Sequence, residues 1–182
     1  KAYWSVFWSH TYTDWSQLHS PSDHGEHSIH NLVLDWKRFT TDQTVDFMKA
    51  EIAPIREICP DIPVTTNMME FYSGLNYYKF RDVCDVLSWD NYPLWHSEGE
   101  NRVPIHTAMA HDVIRSIHPG KPWLMMESSP SATNWQPVCK LRRPGMHMLS
   151  SMQAIAHGSD SVQYFQWRKG RGGSERFHGA VV

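Results

Sequence analysis

The chain has 182 residues, of which 41% are apolar and 20% charged, with a formal net charge of -2. That length suits one domain with a sizeable core, and the composition is that of a soluble globular protein and not a disordered one. The charge balance gives no basic stripe for nucleic acid, and no apolar run approaches the roughly 18 residues of a membrane span.

The opening, KAYWSVFW, lacks an initiator Met and the apolar core and cleavage site of a secretory leader, so Lys1 is not expected to be the natural start. The stretch FWSHTYTDWSQLHSPSDHGEHSIHN has no sustained period and reads as an irregular segment. Within it His24, His27 and His30 recur every three residues; a metal site and a polar loop are both readings, but the surrounding Gly and Pro break any helical face. From about Leu34 to Ile58 the pattern turns helical. Thr40 or Thr41 is the expected cap, Val45, Met48, Ile52 and Ile55 the expected buried face, and Pro54 the expected kink or break.

Pro63 to Met68 reads as a short buried strand and Tyr77 to Asp82 as a helix. Val86 to Pro93 reads as a second strand and Ile105 to Ile117 as a helix ended by HPGKP. PWLMMES is a third strand, Gly145 to His157 a helix ended by Gly158, and Ser161 to Trp167 a fourth strand. Short apolar strands alternating with helices predict an α/β fold with a parallel sheet.

Parallel strands carry functional residues at their carboxyl ends. The strands here end in Asn67, in Asp90, Asn91 and Tyr92, in Glu127, and in Gln166, Trp167 and Arg168. Four such ends predict a polar pocket. Glu127, at the mouth of WLMME, suits the nucleophile of glycoside hydrolysis, with Arg168 or Tyr92 as donors that keep it ionised. A buried Glu paired with Arg for structure is the other reading. Nine tryptophans, several beside polar clusters, suit either core packing or sugar stacking, and Asn134 and Trp135 are candidate sugar contacts. Glu175 and His178 form an isolated ExxH, open to metal binding, to sugar hydroxyls, or to a solvated loop. Cys59, Cys84 and Cys139 show no metal spacing and read as reduced thiols, which favours a cytoplasmic protein.

FWSHTYTDW, LSWDNYPLW, PWLMMESSPSATNWQPV, KLRRPGMH and AHGSDSVQYFQWRKGRGGSERFHGAVV together resemble the catalytic domain of glycoside hydrolase family 42, the bacterial β-galactosidases. The resemblance is collinear over residues 1–182. It implies a (β/α)8 TIM barrel of which this chain is roughly the C-terminal half, strands five to eight. It implies retaining release of terminal β-galactose, with Glu127 as nucleophile and Trp8, Tyr92, Trp135, Glu175 and His178 lining the galactose subsite. The family's acid/base glutamate follows an asparagine at the end of the fourth strand, and this sequence contains no Asn-Glu pair. That residue, and the cysteine cluster that binds zinc in some members, are expected upstream, with no cofactor in this segment. A whole barrel typically takes about 250 residues. The chain is therefore expected to be an inactive fragment that associates through its exposed sheet edges, and the resemblance implies a homotrimeric parent. A noncatalytic galactose-binding half-barrel and an α-L-arabinopyranosidase remain the alternative readings.

Overall fold

A computed structural model describes residues 11–21, 29–93, 95, 99 and 101–182. Trp8, His24 and His27 lie outside the described residues. The chain divides into two compact units, Lys1–Pro60 with Ser73–Lys79, and Asp61–Tyr72 with Phe80–Val182.

The first unit is built on one long helix, α1 (His30–Ile58). It starts well before the expected threonine cap. Thr40, Thr41 and Thr44 instead donate their hydroxyls to the carbonyls of Trp36, Lys37 and Thr40, four residues back. A threonine that satisfies its hydroxyl this way no longer competes with the helix backbone. Leu32, Thr41 and Val45 are buried, Met48 and Ile52 half-buried, and Ile55 exposed. The buried stripe thus turns away from Ile55 towards Arg56. The helix runs through Pro54 without ending. The Asn76 amide donates to Thr41 Oγ1 at 3.1 Å, and Lys79 pairs with Asp42.

The second unit holds a four-stranded parallel sheet, β1 (Asn67–Met69), β2 (Leu87–Asp90), β3 (Trp123–Glu127) and β4 (Ser159–Val162), in that spatial order. Strand order follows chain order with no reversal. Such a sheet progresses as a barrel wall does, whereas a doubly wound sheet reverses at a switch point. Helices α2 (Val103–Ile117) and α3 (Met146–Ala156) follow β2 and β3. The expected helix at Tyr77–Asp82 is a 3-10 segment.

In α2, Val103, Thr107, Ala110, His111, Ile114 and Ile117 are buried, the spacing of one helical face. That face meets the sheet through His111, whose ring lies 5.2 Å from Trp89 and 4.9 Å from Trp123. Trp89, Trp123 and His111 are 0–1% exposed, so the centre of this core is two indoles and an imidazole. The indole of Trp123 donates to the His157 carbonyl at 3.1 Å. Gly158 adopts φ +95 and turns the chain from α3 into β4, a conformation that side chains with a Cβ rarely tolerate.

The fourth strand lies earlier than its pattern predicted. It covers Ser159–Val162, and the YFQW stretch leaves the ladder. Gln163 and Phe165 still donate to the carbonyls of Met125 and Ser128, at 3.0 and 2.9 Å. Apolar alternation continued past the point where regular pairing stops. The first strand is likewise shorter than expected. Residues 63–66 precede it and are tied to β2 by the Val64 amide on Asp85 (2.6 Å) and by Thr65 and the Thr66 carbonyl on Ser88.

Candidate active site

Alternation along β3 alone puts Glu127 on the same face as Trp123 and Met125, which are buried at 1% and 2% exposure. A register shift prevents this. Trp89 pairs with Met125, but Asp90 pairs with Glu127, so Met126 has no partner opposite. One extra residue in a strand re-aims the next side chain, as bulges beside active sites commonly do. Glu127 therefore stands beside Asp90 and is half-buried. Its carbonyl accepts from the Asn91 amide at 2.9 Å, which fixes the end of β3 against β2.

The carboxylate itself is held by Tyr92, whose hydroxyl donates to Glu127 Oε2 at 2.8 Å. Burial, the bond to Glu127, and the charges of Glu127, Asp90 and Glu175 all raise the phenol above its ordinary value. Tyr92 is thus a fixed donor. Of the two donors expected for Glu127, Tyr92 fills the role, while Arg168 is exposed and makes no described bond to it.

An aromatic wall surrounds this pair. The Tyr92 ring stands edge-on to Trp135 at 5.6 Å and to His178 at 5.6 Å, and Phe165 is edge-on to His178 at 5.0 Å. Trp135 is 55% exposed and offers an open face, as a stacking platform does. His178 is 1% exposed. Its Nδ1 lies 3.0 Å from Asn134 Oδ1, and the Asn134 amide donates to the Ser174 carbonyl at 2.6 Å. Asn134 thus has both ends engaged within the protein and acts as a clamp between two mouth loops. Because the amide nitrogen is committed, the oxygen faces the ring, and Nδ1 carries the proton. Burial lowers the His178 pKa, against the opposing effects of the Glu175 charge, the Phe165 carbonyl and the Glu127 charge.

The small polar residues after Glu127 also have a structural role. Ser129 is 0% exposed and donates to the carbonyls of Ser131 and Ala132. Gly179 comes so close that a Cβ there falls 2.7 Å from the Ala132 nitrogen, and its amide donates to the Ala132 carbonyl at 2.7 Å. The residues SERFHG are thereby brought to the end of β3, with Glu175 exposed beside His178. Glu127, Tyr92, Trp135, Glu175 and His178 gather at one mouth.

The sequence reading missed the electrostatic partnership at the end of β2. Asp90 Oδ2 accepts from Asn67 Nδ2 at 2.6 Å. Burial pushes the Asp90 carboxyl up to about 6; the Asn67 bond opposes this and the Glu127 charge adds to it. Neither Asn67 nor Phe165 belonged to the expected sugar-binding set; only its position at a strand end marks Asn67, and nothing in the pattern marks Phe165.

No group of three or more His, Cys, Asp or Glu among the described residues is arranged to hold a metal ion. Cys59, Cys84 and Cys139 are free thiols. No described helix is long and apolar enough to cross a membrane.

A parallel sheet in barrel order, with a tyrosine-held carboxylate at its carboxyl end, defines part of a (β/α)8 barrel with an enzyme-like mouth. The solved structures agree. The chain superposes on a cold-adapted beta-galactosidase from Rahnella sp. R3 with a TM-score of 0.93 and 57% identity, covering all of this chain and 27% of that one. A catalytic mutant of Gan42B, a GH42 beta-galactosidase from G. stearothermophilus, gives 0.91 and 55%, covering all of this chain and 28% of that one. An endo-1,4-beta-D-mannanase from Thermotoga petrophila, 18% identical with a TM-score of 0.51 over 73% of this chain and 43% of that one, shares the fold alone. The model of glycoside hydrolase family 42, described as beta-galactosidase, matches residues 1–182, and the chain belongs to that family. Among curated relatives, Beta-galactosidase BglY of Alicyclobacillus acidocaldarius is 65% identical, across all of this chain and 26% of that protein. Beta-galactosidase Pbg of Clostridium perfringens is 58% identical, across all of this chain and 27% of that protein. The chain spans about a quarter of the length of these relatives.

Proposed function

We propose that these residues form the nucleophile half of a retaining β-galactosidase site, with Glu127 as nucleophile. The observation that carries this reading is the half-buried Glu127 carboxylate at a strand mouth, held at 2.8 Å by a phenol that stays protonated. In the first step a Glu127 oxygen attacks the anomeric carbon, the glycosidic bond breaks, and the departing oxygen takes a proton from a carboxylic acid outside this chain. In the second, water attacks the same carbon, its proton returns to that acid, and the Glu127 ester bond breaks. Each displacement inverts the centre, so configuration is retained overall. The Tyr92 hydroxyl orients Glu127 for attack and receives it as the leaving group. Trp135, Glu175 and His178 complete the galactose subsite with Tyr92. His178 Nδ1 is committed to Asn134, and its ring stands edge-on to Tyr92 at the subsite wall.

No metal is needed in this segment, and a zinc-binding cysteine cluster upstream is structural in this reading. The parent is a cytoplasmic trimer. Proton NMR of the full-length enzyme with an aryl β-galactoside tests the reaction: β-galactose must appear first and mutarotate later. First appearance of the α-anomer contradicts the reading. Hydrolysis of the matching α-L-arabinopyranoside at higher kcat/KM reassigns the sugar and leaves the mechanism standing. The isolated 182-residue chain holds only one of the two carboxyls and is expected to be inactive.

A further inference from the structure

Asp90 is the register partner of Glu127 on the neighbouring strand, and the shift at Met126 brings the two together. Its Oδ2 is bonded to Asn67, while its Oδ1 is buried without a hydrogen-bond partner among the described residues. A half-buried carboxyl with one oxygen unsatisfied, beside a second carboxyl, is costly and calls for a role. We infer that Asp90 is a positioning residue for the reaction, a second carboxylate that acts on the nucleophile through its charge. The inference rests on Glu127 being the nucleophile.

The physical argument has two parts. Asp90 holds its carboxyl beside the nucleophile at a site where burial and the Glu127 charge raise its pKa and the Asn67 bond opposes them. The charge of the ionised Asp90 favours the positive character that develops at the anomeric carbon in both transition states. The described titratable groups that face Asp90 are Glu127 on β3 and Tyr92 two residues beyond the end of β2, and Glu175 acts on Tyr92 from the segment before His178. From β1 the neighbour is the neutral Asn67 amide, which favours the ionised form of Asp90. Asp90 acts only once it has lost its proton, so the acid limb of kcat/KM carries its titration at about 6.

The test compares Asp90→Asn and Asn67→Ala in the full-length enzyme. Removing the carboxyl in D90N abolishes the Asp90 titration at about 6, so the acid limb moves down by about one pH unit while kcat at the plateau falls about tenfold. Removing the donor in N67A makes Asp90 harder to ionise, so the acid limb moves up. A merely structural defect does not shift the two limbs in opposite directions. Limbs that stay in place, or that move the same way, overturn the inference. Rescue of D90N by azide, with β-galactosyl azide as product, also overturns it by making Asp90 the proton donor. Both variants are first labelled with a 2-deoxy-2-fluorogalactosyl fluoride. Label on Glu127 with unmoved limbs rejects the role of Asp90 alone, whereas absence of label on Glu127 rejects the nucleophile assignment beneath it.

Discussion

Strands β2 and β3 present two chemistries from one stretch of backbone. Towards α2 they offer Trp89 and Trp123, packed on His111 and closed to water. At their carboxyl ends, one to four residues further on, they offer Asp90, Tyr92 and Glu127, half-buried and polar. The two environments push their titratable groups towards opposite outcomes. Burial holds His111 down at about 3, so it stays neutral, and its two ring nitrogens have no hydrogen-bond partner among the described residues. At the mouth the carboxyls crowd one another, and the Tyr92 hydroxyl donates to one of them, Glu127. The inner face is built to be dry and the outer end to hold charge; the extra residue at Met126 is the joint between them.

The sharpest way to break that division is to remove the mouth's central group. Glu127→Gln keeps shape and removes the nucleophile, and kcat is expected to fall by about 10⁴-fold with thermal stability unchanged. Steady-state kinetics and calorimetry on one preparation check both halves. Trp123→Ala is the converse change. It deletes an indole from the closed face and is expected to cost about 3–5 kcal/mol of unfolding free energy, read by denaturant titration. Tyr92→Phe removes only the donor to Glu127, so kcat falls by about 10²-fold while the edge contacts to Trp135 and His178 persist. Gly179→Ala places a methyl 2.7 Å from the Ala132 nitrogen. It is expected to destabilise by about 1–3 kcal/mol and to raise KM more than it lowers kcat, because it displaces the loop that carries His178.

The smallest effect is a slope. His111 has a depressed pKa in the folded state, and an unfolded histidine protonates near its model value of 6.5. Between those limits the unfolded chain binds more protons, so stability is complete above 6.5 and is lost as pH falls towards about 3. His157, which lowers the His111 value further, and Asp112, which opposes this, are the charged neighbours. His111→Phe keeps a ring between the two indoles and removes the proton site. Melting temperature against pH is expected to flatten in that window. An unchanged slope assigns the acid sensitivity to other groups.

Much of this was legible in the residues. Trp123 to Glu127 reads as a strand because a short apolar run ends in a carboxylate, and such a run has few other uses. The order of strands and helices followed from periodicity in the same way. The failures have local causes. Thr40 and Thr41 look like caps, yet their hydroxyls bond back along the helix, a choice that depends on what the face of α1 meets. Alternation in SVQYFQW continues where the ladder has already stopped. At the mouth, motif resemblance named Tyr92, Trp135, Glu175 and His178, but not the Asn67–Asp90 bond, which joins residues 23 apart on neighbouring strands. Pairings of that kind depend on register, and a one-residue shift such as that at Met126 leaves no mark in the sequence pattern.

The central claim is that Glu127 is the nucleophile, and one experiment addresses it directly. The full-length enzyme is incubated with a 2-deoxy-2-fluorogalactosyl fluoride, digested, and mapped by mass spectrometry. A fluorogalactosyl ester on Glu127, in the peptide that carries WLMMESSPSATNW, is the predicted result. No trapped intermediate, or an ester on any other carboxylate, contradicts the account.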